Sequence, residues 1–331
     1  MCSCKKTQCR LGGKCGCRKN EKACTETCQC IDCTNVTTPP TSPISTPKSA
    51  EPPKSVIRDA PLMTPLVVSS WNMCNFCAIQ ENFDHKTKTD NGITRPWTSM
   101  EKDQLLWDAE QSFRILGRSA DILVLQEFPF NESQVKQILE WLPADEFEYA
   151  ISEAQDALEH VFIWRTSRIR PYKPIVDKWV RPLIKLKRPA GTMRLWDIQE
   201  ENILILTSIH LKSGGGLETK QEYKEVFDQY FLAMHKRYGS TPQPMHVVAG
   251  DVNLNPHVAG SRPDGWHVTG SSRTVTSVGG KGYDFFFVDE TSMKTYRAEQ
   301  HTLHQQRPKN STRSWIGTSD HHPIMLMIYK S

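Results

Sequence analysis

Residues 245–256 read MHVVAGDVNLNP. A short apolar run closed by Gly250 fits a buried strand rather than a helix, which needs ten or more residues. The strand ends in Asp251, with Asn253 two residues on, so it would carry polar groups to the edge of a sheet. The same construction recurs along the chain. PLVVSSWN (65–72) ends in Asn72, ADILVLQE (120–127) ends in Glu127, and ILILTSIHL (203–211) carries His210 near its end. HVFIWR (160–165), YDFFFV (283–288) and HPIMLMIY (322–329) are further apolar strands, with Asp284 opening the second and Asp320-His321 preceding the third. Helical stretches lie between them. Thr98 and Glu101 have capping-box spacing ahead of a helix to about Gly117. Asn131 caps another through about Trp141, and a third runs from Leu217 to about Tyr238 after Gly214-Gly215-Gly216. The expected fold is therefore α/β, with no internal repeat visible.

The polar residues at these strand ends form a chemically coherent set. Glu and Asp are hard oxygen ligands suited to Mg²⁺, which usually takes one or two protein carboxylates and keeps water or substrate phosphate elsewhere. Asn can hold a phosphate or orient a water, and histidine exchanges protons near neutral pH. Phosphodiester hydrolysis needs these functions together. Singly, each residue has an ordinary structural role: Gly250-Asp251 as a turn, Asn72 as a turn residue, His210 as a core histidine. Their recurrence at successive strand ends carries the functional reading.

Composition narrows the setting. Hydrophobic residues make up 38% and charged residues 24% of 331, as in a soluble globular protein. No apolar run approaches the ~18 residues of a membrane span, and the N-terminus is no signal peptide, so an intracellular protein is expected. Asn35-Val36-Thr37 is discounted as a glycosylation site on the same ground. The net charge of +4 is uneven. Residues 1–33 carry seven Lys/Arg and three Asp/Glu, residues 34–64 three and two, leaving 31 and 32, or −1, for residues 65–331. A polyanionic substrate would have to be drawn to the large domain by bound metal and local patches.

In order and spacing, SWNM, DILVLQE, TSIHLKSG, VVAGDVNLNP, YDFFFV and TSDHHP resemble the endonuclease/exonuclease/phosphatase superfamily, over about residues 65–331. The resemblance implies a four-layered α/β sandwich with two central mixed sheets. It also implies roles. Glu127 would be the main Mg²⁺ (or Mn²⁺) ligand, with Asn72 beside it and Asp320 completing the metal environment. Asp251 and Asn253 would position the attacking water and the phosphate. His321, oriented by Asp284, would contact the phosphate or act as base, and His210 would be a general acid supported by Glu159. Arg188, in an Arg-Pro element, is either phosphate-facing or an ordinary surface residue.

Nine of the eleven cysteines fall in residues 1–33: Cys2, Cys4, Cys9, Cys15, Cys17, Cys24, Cys28, Cys30 and Cys33. An odd count, C-x-C pairs and a reducing compartment argue against disulfides. Three zinc ions at four ligands each need about twelve bonds, which nine thiolates supply if three of them bridge. The pattern resembles the CXC domain of the tesmin/TSO1 type, except that the gap before Cys15 is longer and lacks an aromatic residue. That resemblance implies zinc binding, DNA or chromatin contact and a nuclear location, against a metal-storage or protein-docking alternative. Residues 34–64, dense in Pro, Ser and Thr, read as a disordered linker. Cys74 and Cys77 lack two further ligands for a zinc site and read as free thiols.

DNA is the favoured substrate, cut by endonuclease or DNA-end-processing action. The same core would also serve a phosphatase or phosphodiesterase for lipid headgroups, inositol phosphates or RNA ends. Trp97, Trp179, Trp196, Trp266 and Trp315 suit either membrane contact or base stacking. A non-catalytic chromatin or transposon-associated DNA-binding protein is disfavoured, because no motif position holds an inert residue.

Overall fold

A computed structural model describes residues 64–73, 87–90, 93–96, 98–129, 132–152, 158–172, 190–212, 216–231, 244–257, 263–271, 273–277, 280–303, 319 and 321–331. The cysteine-rich segment, residues 34–63 of the linker, Cys74 and Cys77 lie outside the described residues. Those residues fall in a compact unit spanning Ala60–Ser331, distinct from Met1–Asp59.

Two six-stranded sheets form its centre. Sheet I contains β1 (Leu66–Asn72), β4 (Ile122–Pro129), β5 (Phe147–Ile151), β6 (Leu158–Arg165), β13 (Tyr296–Thr302) and β14 (Ile324–Lys330), in the order β13-β14-β1-β4-β6-β5. Sheet II contains β7 (Ile169–Pro171), β8 (Gly191–Asp197), β9 (Asn202–His210), β10 (Met245–Asp251), β11 (Trp266–Val268) and β12 (Asp284–Asp289), in the order β11-β12-β10-β9-β8-β7. Both sheets are mixed. β1 and β4 run parallel in one, β9 and β10 in the other, and all other pairings are antiparallel. A separate two-stranded ribbon joins β2 (Thr87–Asp90) to β3 (Ile93–Pro96).

Alternation along the strands assembles four layers. Val68, Val124, Phe162, Leu206, Val247, Phe286 and Leu326 face the space between the sheets. Their chain neighbours face outward. On sheet I, Val67, Leu123, Leu125 and Ile163 pack under α1 (Ser99–Ser119) and α2 (Glu132–Trp141). Ala109, Phe113 and Leu116 of α1, and Val135, Ile138 and Trp141 of α2, recur at helical spacing and supply the covering stripe. On sheet II, Ile203, Ile205, Phe285 and Phe287 pack under α3 (Leu217–Glu225), where Tyr223 lies 4.7 Å from Phe227 and Phe227 4.5 Å from Phe287, ring to ring. Each such side chain removed from water is worth about 1.5–3 kcal/mol before entropic costs.

All seven strands expected from apolar runs are present. The third helix departs from expectation: α3 gives way to a π-helical turn, Val226–Phe231, and residues 232–243 lie outside the described residues. Tyr223 and Phe227 pack on Phe287 across this change.

Candidate active site

A parallel pair of strands brings two C-terminal ends to one edge of a sheet. β1 and β4 therefore end together, Asn72 beside Gln126, and β9 and β10 end together, His210 beside Asp251. Asp284 sits directly across from Asp251 on the antiparallel strand β12. Strand parity then aims these groups. Asn72 shares its face with Val68, His210 with Leu206, Asp251 with Val247 and Asp284 with Phe286, so all four point between the sheets.

Glu127 breaks this rule. An unbroken β4 would direct it toward the helices with Leu123 and Leu125. Instead the β4–β6 register shifts between Leu125 and Phe128, and Glu127 adopts φ +50°. A bulge of this kind re-aims a side chain, and a left-handed glutamate is uncommon enough to mark a constrained site. Asn253 also lies in the left-handed region, at φ +53°. Gly250 has φ +144°, and a Cβ there would stand 1.9 Å from the Ile209 carbonyl oxygen, so only glycine fits ahead of Asp251.

Three couples cross from one sheet to the other. The Asn72 amide donates to Asp251 Oδ2 at 3.1 Å and, within its own sheet, to Glu127 Oε1 at 3.3 Å. His210 Nε2 lies 3.0 Å from Glu127 Oε1. His321 Nδ1 lies 2.7 Å from Asp284 Oδ2, and its Nε2 is 3.7 Å from Asp251 Oδ2. Supporting bonds fix these groups. Thr276 donates to Asp284 Oδ2 at 2.7 Å, the Asn253 N–H donates to Asp251 Oδ1 at 2.7 Å, and the Asn253 amide donates to the Leu211 carbonyl at 2.8 Å. Ser319 donates to the Asn72 carbonyl and receives the His321 N–H, while the Trp71 indole donates to the His321 carbonyl.

The electrostatics are those of a site short of positive charge. Burial, then the negative charge of Asp284, pushes Asp251 up to about 6; His321, His210 and the Asn253 N–H pull the other way. Asp284 Oδ1 is buried and, among the described residues, has no hydrogen-bond partner. Asp251, Asp284 and His321 offer ligand atoms within 4.8 Å of one another. Hard oxygen donors, an orphaned carboxylate oxygen and a destabilised carboxylate fit a divalent cation.

Asn72, Glu127, His210, Asp251, Asn253, Asp284 and His321 are thus brought together. Asp320 and Arg188 lie outside the described residues. Glu159 occupies β6 opposite Phe128, and its side chain lies outside the described set. Sequence reasoning missed a buried polar layer beneath the site: Ser70, Gln126, His160 and Ser208. Its signal was available in strand parity, since each shares the inward face of its strand.

This fold is that of the endonuclease/exonuclease/phosphatase proteins. No protein-family model matches the chain, and no curated protein matches it in sequence. Solved structures do. The D. rerio TDP2 structure complexed with single strand DNA product aligns at 15% identity with TM-score 0.52, over 80% of this chain and 99% of that one. An endonuclease/exonuclease/phosphatase family protein from Bacteroides thetaiotaomicron aligns at 13% identity with TM-score 0.53, over 81% and 99%. A mannosyl-6-phosphatase from the same species aligns at 13% identity with TM-score 0.50, over 80% and 99%. Among the described residues no helix is long and apolar enough to cross a membrane.

Proposed function

We propose that the chain is a Mg²⁺-dependent phosphodiesterase that hydrolyses DNA phosphodiester bonds. Residues 1–33 would form a zinc module that holds it on DNA or chromatin, with a nuclear location to match. The observation that carries the hydrolase reading is the set of cross-sheet couples, Asn72–Asp251, Glu127–His210 and Asp284–His321. They gather three carboxylates, two histidines and the amide of Asn72 around one point.

Glu127 and Asn72 would hold the metal, with Asp320 beside them; when bound, Mg²⁺ neutralises charge at the phosphoryl oxygens. Asp251, its acidity weakened to about 6, orients the attacking water and accepts its proton near neutral pH. Asn253 holds the scissile phosphate. His321, fixed through Nδ1 by Asp284, presents Nε2 to a phosphate oxygen. His210 faces Glu127 through Nε2 at 3.0 Å, and gives a proton to the leaving oxygen. The water oxygen bonds to phosphorus in line with the breaking P–O bond.

Two features favour DNA: the seven Lys/Arg among the nine cysteines of residues 1–33, and the single strand DNA product in one structure of the same fold. The −1 charge of residues 65–331 and the mannosyl-6-phosphatase of the same fold favour a second reading, a phosphatase or phosphodiesterase for lipid headgroups, inositol phosphates or RNA ends. Supercoiled plasmid with Mg²⁺ decides between them. Nicking that EDTA and Asp251→Ala both abolish is expected, with binding weakened by deletion of residues 1–33. No nicking by folded protein rejects the DNA reading and moves the test to phosphorylated lipids and RNA ends.

A further inference from the structure

Directly beneath the candidate site, the two sheets are joined by hydrogen bonds rather than by apolar contact. Gln126 is fully buried, and its Nε2 lies 3.0 Å from Ser70 Oγ and 3.0 Å from Ser208 Oγ. The Val124 carbonyl, an acceptor only, lies 3.4 Å from the same nitrogen, which fixes the amide with its NH₂ toward the serines. Ser208 Oγ lies 2.7 Å from His160 Nδ1. Ser208 thus accepts the Gln126 N–H and shares one further hydrogen bond with His160 Nδ1, whose direction follows the tautomer of that ring. Gly191 makes room for this ring: a Cβ there would stand 3.0 Å from His160 Cβ.

Each member lies next to a proposed functional residue. Ser70 is two residues before Asn72, Gln126 one before Glu127, and Ser208 two before His210. Ser70, Gln126 and His160 belong to sheet I, and Ser208 to sheet II. The Gln126 amide thus spans the gap that the Glu127–His210 couple spans one level above.

We infer that Gln126 is a positioning residue: by bonding Ser208 across the sheets, it sets the separation of the two half-sites and the affinity of Glu127 and its neighbours for a divalent cation. This rests on the metal-dependent reading of the site. A buried amide holds its partner firmly, because a buried donor or acceptor left unsatisfied pays its full desolvation cost. Groups that orient metal ligands typically alter metal affinity or activity 10–100-fold when removed.

The test titrates Mn²⁺ alone into the full chain by calorimetry, with thermal unfolding followed in parallel. Gln126→Leu should weaken Mn²⁺ binding at least tenfold, and Ser208→Ala should weaken it in the same direction by less. Ser208→Ala removes one hydroxyl and keeps the inference testable if Gln126→Leu fails to fold. ¹⁵N-imidazole NMR should find the His160 Nδ1 signal altered in Ser208→Ala, where its 2.7 Å partner is gone. Variants that unfold at lower temperature yet bind Mn²⁺ as the wild type does would overturn the inference and leave the site standing. A wild type that binds no Mn²⁺, or binds it equally in Glu127→Gln, would overturn the metal-dependent reading and this inference with it.

Discussion

The two sheets are built alike and used differently. Each has a parallel pair at its centre, β1–β4 in sheet I and β9–β10 in sheet II, flanked on both sides by two antiparallel strands. Each parallel pair is joined by a connection containing a helix, and each delivers two strand ends to the site. Sheet II carries its acids on regular strands, Asp251 and Asp284 directly opposed and almost fully buried. Like charges in such a position repel and are costly to desolvate. Sheet I carries a more exposed acid, Glu127, turned inward by a bulge, and the amide of Asn72; that amide and the ring of His321, just ahead of β14, face the sheet II carboxylates. Neither sheet holds a working set alone. Charge is concentrated on one sheet and answered from the other, so the site exists only where they meet.

That division of labour can be broken at four points. Asp251 touches groups from both sheets, and Asp251→Ala should lower Mg²⁺-dependent nicking at least about a thousandfold, some 4 kcal/mol; retention of a tenth of the activity would show that the acids of sheet II are not central. The Asp284–His321 couple should behave as a unit. Asp284→Ala and His321→Ala should each cost about a hundredfold in kcat, and the double variant no more than the worse single; losses that multiply would dissolve the couple.

The third point is stability without metal. Asp251 binds its proton more tightly folded than unfolded, so the folded state gains from it at low pH and loses that gain as pH rises from about 4 to about 6. Asp251→Asn should therefore raise the unfolding free energy of the metal-free protein at pH 7.5 by about 2 kcal/mol and change it little at pH 4. A destabilised variant at pH 7.5 would mean the buried charge is already compensated. The smallest effect is on cation affinity: Mn²⁺ binding should strengthen by up to about tenfold per unit as pH rises toward 6 and then level off, because proton and cation compete for one charge cluster. A flat profile between pH 5 and 7 would remove Asp251 from that competition.

Seven of the strands were legible as apolar runs, most of them buried on both faces, as in MHVVAGD and YDFFFV, while IMLMIYK alternates. The others carry little pattern. β13, YRAEQHT, is an edge strand of alternating partial exposure, and β7 has three residues. Their pairing is supplied by neighbours already in place rather than by their own side chains. In the site, Asn72, His210, Asp251 and Asp284 were legible as polar ends of apolar strands. Gln126 and Ser208 were overlooked because a buried amide or hydroxyl inside an apolar run resembles a tolerated exception until its partner on the other sheet is known.

By itself the sequence determined seven of the strands and which polar residues sit at their ends, because alternation and apolar run length are local properties of the chain. For Asn72, Asp251 and Asp284 even the direction of the side chain follows from counting along the strand. Tertiary structure decided the rest. Counting would turn Glu127 toward the helices, and only the register shift against β6 with its left-handed backbone turns it to the site. Likewise, the partners in each couple lie from 37 to 179 residues apart. Such distances along the chain carry no local signal. They are settled when two sheets bury a common core and the few polar groups at its rim, shut away from water, must find one another.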